Sequence, residues 1–431
     1  MNKTLLVFLT ISGLIPIRPV NAADSSAATP NPANIRVVNC DEPVKSKKRG
    51  ICANRLSAAD FKSLAPGVSW FYNWHYKTDF VPPSGTNIEF LPMAWGNRNE
   101  DFSGLKSYLS SVSKKPSYVL ALNEPNLKGQ AFINPEATAS AYRKIKEVAD
   151  QFNIPVVGPH MAIGSPDKDS IKAMDPIENK TLTYTFMMPF LKAFNFYMKD
   201  TDIPATAVHS YGDIGELKWA TKSLHDEFKK PVWVTEYAFW KANGVQGAVD
   251  YLIQATDFLE RSPYVQGYAW FKERAKDNPK ISLLDPNSSE LTPLGKAYVS
   301  LPPHDADLHY RIPGRLQAEN YVTFAGDDFE IKQTNDSEGG NFQMISNRAN
   351  ATIDYNIQVD QAGTYTLNFR AAGWPGKIEI LSGDQVIGSV TTTDKKWNNV
   401  QTQVQLSAGP QTLRLRFSTS MQFVNWIEFS K

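Results

Sequence analysis

Tyr118-Val119-Leu120-Ala121-Leu122-Asn123 is a short apolar run. A helical pattern, Glu136–Phe152, follows it, and a second apolar run, Pro155–His160, comes next. Short apolar runs alternating with longer helical patterns are the mark of β-α-β units on a parallel sheet. The same alternation extends outward. Upstream lie Arg49–Ala53, Val68–Trp74 and Ile88–Trp95, and downstream lie Ala205–Tyr211, Pro231–Tyr237 and Val265–Phe271. Further helical patterns occupy Ser57–Leu64, Glu216–Phe228 and Val245–Arg261. Ser57 with Asp60 three residues on reads as a capped helix start. Eight runs within residues 45–302 match a (β/α)8 TIM barrel, which typically needs ~250 residues. A doubly wound sheet would place a Gly-rich phosphate turn after its first strand, and none follows Arg49–Ala53.

The texture changes after residue 302. Residues 303–310 read as a linker with prolines and aspartates around it. Residues 311–431 carry short alternating segments, among them Ala351–Gln358, Gly363–Arg370, Lys377–Leu381 and Gln411–Phe417, separated by Gly, Asn and Asp turns. That is the pattern of an all-β antiparallel sandwich. The fold class is therefore α/β, a barrel followed by a β-sandwich.

At the other end, Lys3, the apolar stretch Leu5–Ile15 and Val20-Asn21-Ala22 form a signal peptide over residues 1–22. The stretch is too short to span a bilayer, and secretion, extracellular or periplasmic, is expected. Residues 23–44 read as a flexible lead-in. The cysteines are Cys40 and Cys52. In an oxidising compartment a structural disulfide between them is expected, since no His or carboxylate cluster accompanies them for metal or catalysis. With 45 basic and 44 acidic residues the net charge is +1, which argues against a nucleic-acid partner. Aromatics reach 12% of the 431 residues, enough to fill cores and still build flat platforms. No membrane partner is expected, and near-neutral charge with two self-sufficient domains favours a monomer.

The chemistry lies at strand ends. The fourth run ends in Asn123-Glu124-Pro125-Asn126, and the seventh, Val232-Trp233-Val234-Thr235-Glu236-Tyr237, delivers Glu236. The carboxyl ends of barrel strands form the active-site face, and strands four and seven lie across the ring from each other. Two carboxylates so placed are what glycoside hydrolysis needs: one protonates the leaving oxygen, the other attacks the anomeric carbon or activates water. A lone glutamate at a strand end would more often be structural. The pair, with Asn123 before the first member, is more specific. Other strand ends offer Trp74, Trp95, His160, His209, Tyr211, Trp240 and Trp270. Indole and phenol rings stack on the apolar faces of pyranoses, and the histidines suit polar lining better than a metal site without a third ligand.

Residues 45–302 resemble glycoside hydrolase family 128. The resemblance rests on Gly67-Val68-Ser69-Trp70-Phe71-Tyr72-Asn73-Trp74, Phe90–Gly96, Asn123–Asn126, His209-Ser210-Tyr211-Gly212 and Thr235-Glu236-Tyr237. It implies hydrolysis of β-1,3-glucan with retention, Glu124 as general acid/base, Glu236 as nucleophile, and Asn123 on the sugar 2-hydroxyl, without a catalytic cofactor. Residues 311–431 resemble carbohydrate-binding module family 6, a jelly roll, through Ile312–Tyr321, Gly363–Leu367, Trp397 and Asn425-Trp426-Ile427-Glu428-Phe429. That resemblance implies a structural calcium held by Gln317, Glu319 and Asn425. It also implies a sugar cleft around Trp397, with Phe342 and Phe423 nearby, although Met344 stands where an aromatic partner is expected and Phe423 where an Asn is. Two alternatives stay open at this level. One is an inactive, secreted glycan-binding protein. The other is a glycosidase of the same clan acting on xylan, mannan or another glucan.

Overall fold

Arg49–Cys52 pairs in parallel with Trp70–Tyr72 on one side and with Val265–Phe271 on the other, so the first and last strands of the α/β region are neighbours. The computed structural model describes residues 34–431. The signal peptide expected at 1–22, and the lead-in as far as residue 33, lie outside the described residues.

The described chain forms two units. The first comprises Ser46–Leu252 and Ser262–Val299, and the second comprises residues 34–45, Ile253–Arg261 and Ser300–Lys431. In the first, parallel pairing continues from Val265–Phe271 to Val232–Tyr237, Thr206–Ser210 and His160–Ala162. On the other side Trp70–Tyr72 pairs with Glu89–Phe90, and Met93–Ala94 pairs with Val119–Ala121, which pairs with Val156–Val157. A parallel bridge between Asn123 and His160 joins the tips of two of these strands. Val119, Leu120 and Ala121 are all buried, as expected of parallel strands covered on both faces.

Helices follow the strands. Ser57 caps Ala58–Leu64 by accepting from the Asp60 amide while Asp60 accepts from the Ser57 amide, as their spacing predicts. Asn134 caps Pro135–Asp150, with Pro135 in the first turn. Asn99–Ser111, Met187–Met198 and Pro293–Ser300 are helices that the apolar pattern did not single out. An antiparallel hairpin, Ile171–Asp175 with Lys180–Tyr184, is inserted after His160–Ala162.

Inside the strands Trp70, Tyr72, Met93, Leu120, Val157, Ala207, Trp233 and Ala269 form one core cluster. The Trp70 and Trp233 rings stand 5.4 Å apart. Glycine makes room for them: a Cβ on Gly267 would lie 2.5 Å from the Trp233 ring, and one on Gly50 would strike the Trp70 ring. Gly267→Ala is therefore expected to destabilise by about 1–3 kcal/mol through overpacking. A lower urea midpoint with an unchanged slope would be the readout.

The second unit is built of two sheets. One runs Leu308–Ile312, Ala351–Val359, Gly409–Phe417, Gly376–Ser382, Gln385–Thr392. The other runs Phe329–Gln333, Phe342–Ser346, Gln422–Ser430, Gly363–Gly373, Asn398–Leu406. Two expectations are corrected here. Arg36–Asn39, expected within the flexible lead-in, is a strand paired in parallel with Leu308–Ile312, whose first residues were expected in the linker. Long-range pairing imposes order that local composition does not announce. No described helix is long and apolar enough to cross a membrane.

Cys40 and Cys52 are both free and buried, contrary to the expected disulfide. Cys40 belongs to the second unit, where its thiol donates to the Arg311 carbonyl. Cys52 ends a core strand of the first, and its thiol donates to the Thr235 carbonyl at 3.1 Å. Burial pushes the Cys40 thiol up to about 12 and the Cys52 thiol well above its ordinary value, so both are held as inert thiols.

Candidate active site

Three non-glycine residues at strand ends adopt left-handed backbone: Trp74 (φ 59°), Leu122 (φ 66°) and Glu124 (φ 43°). Such outliers persist where surrounding structure over-determines them. Here the Glu124 amide donates to the His160 carbonyl at 2.7 Å, and the Leu122 amide to the Ala94 carbonyl at 2.8 Å. Neighbouring strands thus grip the Leu122–Glu124 turn on both sides.

Glu236 sits near the end of Val232–Tyr237 and is 5% exposed. Three donors converge on its carboxylate. Trp74 Nε1–H donates to Oε1 at 2.7 Å, the Tyr72 hydroxyl donates to Oε1 at 3.1 Å, and the Tyr211 hydroxyl donates to Oε2. Burial raises both phenols well above their ordinary value, with Cys52 next for Tyr72 and the charge of Glu236 adding to both, so both keep the proton they donate. Tyr211 is fixed from behind: Glu216 accepts from the Ser210 hydroxyl at 3.0 Å and the Gly212 amide at 2.8 Å.

Glu124 is 6% exposed, and its Oε1 lies 2.9 Å from His209 Nδ1, which is 3.6 Å from Glu236 Oε2. One oxygen of each carboxyl and a nitrogen of His209 all lie within 4.8 Å of one another. Burial raises the Glu124 carboxyl above its ordinary value, against the pull of the His209 hydrogen bond and charge and with the push of Glu236. Burial alone would lower His209. The charge of Glu236 and the hydrogen bond and charge of Glu124 outweigh it, and His209 is raised. The arrangement therefore offers one carboxylate surrounded by donors beside one carboxyl whose charge burial opposes, two chemical roles set by environment.

Half-buried aromatics surround the pair. Phe271 packs against Trp74 (5.9 Å between centroids), Tyr211 (5.4 Å) and Trp240 (6.4 Å). Trp95 is half-buried on the core cluster, with the Arg98 guanidinium 5.6 Å from its ring. Asn123 Nδ2 donates to Gln130 at 3.0 Å, while its buried Oδ1 has no partner.

Residues 50–298 match the family described as glycosyl hydrolase catalytic core, more than half of the chain. The chain belongs to this family. Residues 317–431 match carbohydrate-binding module family 6. Among solved structures, a family 128 (subgroup II) endo-β-1,3-glucanase from Pseudomonas viridiflava is 32% identical, with a TM-score of 0.51. A second of that subgroup, from Sorangium cellulosum, is 28% identical, also with a TM-score of 0.51. Each match covers 60% of this chain and all of the other. No curated protein matches. The protein is a glycoside hydrolase with a catalytic region like those of family 128 and a carbohydrate-binding module.

In this hydrolase the structure brings together Glu124, Glu236, His209, Tyr211, Trp74 and Trp240, with Asn123 and Trp95 on the neighbouring strand ends. It does not bring His160 or Trp270 to a sugar-facing surface. His160 is fully buried and spends both ring nitrogens inside the protein, on Thr235 Oγ1 and the Val157 carbonyl. Trp270 is fully buried, donates to the Ile281 carbonyl at 2.8 Å and packs on Tyr237, Tyr251 and Tyr298. Strand alternation puts its neighbour Phe271 on the other face instead. Tyr72, Thr235, Glu216 and Phe271 were missed. The signal for Tyr72 was its position two residues before Trp74, and for Phe271 its place next to Trp270.

In the module, Phe342 is 1% exposed and belongs to the core, so it is no platform. Met344 is buried as well. Trp397 and Phe423 do share a surface, at 6.4 Å and 50°, with the Trp397 indole N–H donating to Asn335 at 3.0 Å. Gln317 Oε1, Glu319 Oε2 and Asn425 Oδ1 are buried oxygens without partners. Asn425 Nδ2 is engaged by Asp336 and the Gly339 carbonyl, which leaves that oxygen to face elsewhere. Burial pushes the Glu319 carboxyl up to about 8.

Proposed function

We propose that this glycoside hydrolase is a secreted, retaining endo-β-1,3-glucanase that works by double displacement. The carrying observation is the pair Glu124 and Glu236, each presenting an oxygen within 4.8 Å of the other's, one carboxyl raised by burial and one held by three donors. Retaining glycosidases place their carboxyls about 5–5.5 Å apart, whereas inverting ones need about 6.5–9.5 Å for an intervening water. The substrate class is supported by the two similar structures, both named endo-β-1,3-glucanases.

In the first step Glu236 attacks the anomeric carbon while Glu124 passes its proton to the departing glycosidic oxygen. The bond to that oxygen breaks, and a glycosyl ester forms on Glu236. In the second step Glu124, now anionic, takes a proton from water. The hydroxide oxygen displaces Glu236 from the anomeric carbon and restores the configuration. Asn123 Oδ1 accepts from the sugar 2-hydroxyl, and Trp74, Tyr211, Trp95 and Trp240 line the chain of sugars. The ten parallel segments fall on eight staves, since Glu89–Phe90 with Met93–Ala94 and Val156–Val157 with His160–Ala162 are each one interrupted run. Eight staves with first and last paired support the (β/α)8 barrel reading, and the two sheets of the second unit support the jelly roll. Secretion through residues 1–22 belongs to the same proposal. Wild-type enzyme is expected to release oligosaccharides of several lengths from linear β-1,3-glucan and nothing from xylan or mannan. Binding without cleavage would favour the glycan-binding alternative.

A structural calcium in the module belongs to the proposal as well. Three orphaned buried oxygens, one of them a carboxyl whose charge burial opposes, are a donor set suited to a hard cation. Calcium would neutralise that buried carboxylate and tie the ends of the module. Millimolar calcium is expected to raise the melting temperature of the full chain's module transition by roughly 5 °C or more, and a chelator to reverse it. Glu319→Gln should abolish the difference.

A further inference from the structure

His160 was expected on the sugar, yet it lies at the far end of a hydrogen-bond chain that stops at Glu124. The direction of that chain follows from a single atom. The Val157 carbonyl cannot donate, so His160 Nε2, 3.1 Å away, carries a hydrogen. Burial, and then the charge of His209, hold His160 well below its ordinary value, so its ring is neutral and Nδ1 is an acceptor. The Thr235 hydroxyl, 2.6 Å from that Nδ1, must donate to it. Having donated, Thr235 Oγ1 accepts, and the group facing it at 3.1 Å is His209 Nε2. His209 Nε2 therefore carries a hydrogen. The Thr235 backbone is itself held, its carbonyl accepting from the Cys52 thiol at 3.1 Å.

We propose that His160 and Thr235 are positioning residues that lock His209 with its hydrogen on Nε2, leaving Nδ1 as the ring nitrogen that exchanges a proton with Glu124. This rests on Glu124 being the acid/base. The lock has a consequence of definite sign. With Nε2–H fixed, Glu124 Oε1 and His209 Nδ1, 2.9 Å apart, share one proton, and once the pair loses it the carboxylate faces the Nδ1 lone pair rather than an N–H. That fully deprotonated state is disfavoured, so the pair keeps its shared proton to higher pH, as the raised values of both partners require. After glycosylation of Glu236, the same lone pair makes Glu124 the stronger base toward water. One device serves both steps. The ionisable groups facing His209 are Glu236 from a neighbouring strand, Glu124 from the strand end beyond His160–Ala162, and His160 across Thr235. Tyr211 follows on its own strand end and faces both glutamates, and Cys52 and Tyr72 stand behind Glu236.

The test compares wild type with Thr235→Val, Thr235→Ser and Glu124→Gln across pH. Each is run on β-1,3-glucan and on a 2,4-dinitrophenyl β-1,3-gluco-oligosaccharide, whose leaving group needs no proton. Thr235→Val frees His209 to place its hydrogen on Nδ1, where it stabilises the Glu124 carboxylate. The alkaline limb of kcat/KM on glucan should move to lower pH, with activity near pH 8 down about tenfold or more. The dinitrophenyl substrate should change less than about twofold, and Thr235→Ser should restore the wild-type profile. A folded Thr235→Val with an unmoved alkaline limb would overturn the lock. Nitrogen-15 spectra of histidine-labelled wild type, assigned with His209→Asn, give a reading independent of any Thr235 variant. A neutral His209 protonated on Nε2 supports the lock, and one protonated on Nδ1 overturns it. Undiminished glucan cleavage by Glu124→Gln would instead remove Glu124 as the acid, and the lock's purpose with it.

Discussion

Glu236→Ala is expected to lower kcat on β-1,3-glucan by a factor on the order of 10⁴–10⁶ while leaving the fold intact, because it removes the atom that forms the covalent bond. The side chain is buried but accepts from three donors that belong to other strands: Trp74, Tyr72 and Tyr211. Alanine leaves those donors around a small hole with the chemistry of an anion site. Azide placed there should attack the anomeric carbon of a dinitrophenyl substrate from the side Glu236 occupied, and a single displacement gives the α-glycosyl azide. Restored turnover with that product identifies Glu236 as the nucleophile. Undiminished hydrolysis of glucan by Glu236→Ala would exclude it.

Glu124→Ala should produce the complementary pattern. Loss of a general acid costs about 10²–10⁴-fold on a substrate with a poor leaving group. The glucan is such a substrate, and a dinitrophenyl glycoside is not. With the activated substrate, formation of the glycosyl-enzyme proceeds, but its hydrolysis lacks the base, so a burst of dinitrophenol precedes a slow steady state. Azide then attacks the glycosyl-enzyme and yields the β-glycosyl azide. In wild type, burial raises the Glu124 carboxyl, and its proton is lost as pH rises through the titration of the Glu124–His209 pair. The wild-type kcat/KM on glucan should therefore fall on the alkaline side, and that limb should be absent when Glu124→Ala is assayed on the dinitrophenyl substrate.

The two glutamates were legible because a buried parallel strand reads as a continuous apolar run, and a carboxylate at its end stands out. What the run does not carry is the phase of its side chains. The pairing register shifts between Val208 and His209 and again between Val234 and Tyr237. Alternation counted from sequence therefore loses its place at the strand ends, where the site lies. Trp270 and Phe271 exchanged roles for that reason. His160 was read as polar lining of the sugar site because a histidine at a strand end is polar. Its real partners, Thr235 and the Val157 carbonyl, lie within the strand layer and have no local signature. The expected Cys40–Cys52 bridge rested on compartment and proximity in sequence. It gave way to the long-range pairing of Arg36–Asn39 with Leu308–Ile312, which draws Cys40 into the second unit.

Double displacement by Glu124 and Glu236 is tested most directly by the configuration of the first product. Proton NMR during the opening minutes of hydrolysis of a reduced β-1,3-gluco-oligosaccharide resolves the new reducing end before it mutarotates. One oxygen of each carboxyl lies within 4.8 Å of the other, closer than the roughly 6.5–9.5 Å of an inverting pair, so the β-anomer should appear first and the α-anomer only later. Initial appearance of the α-anomer would mean a single displacement by water, and the nucleophilic role of Glu236 would be wrong.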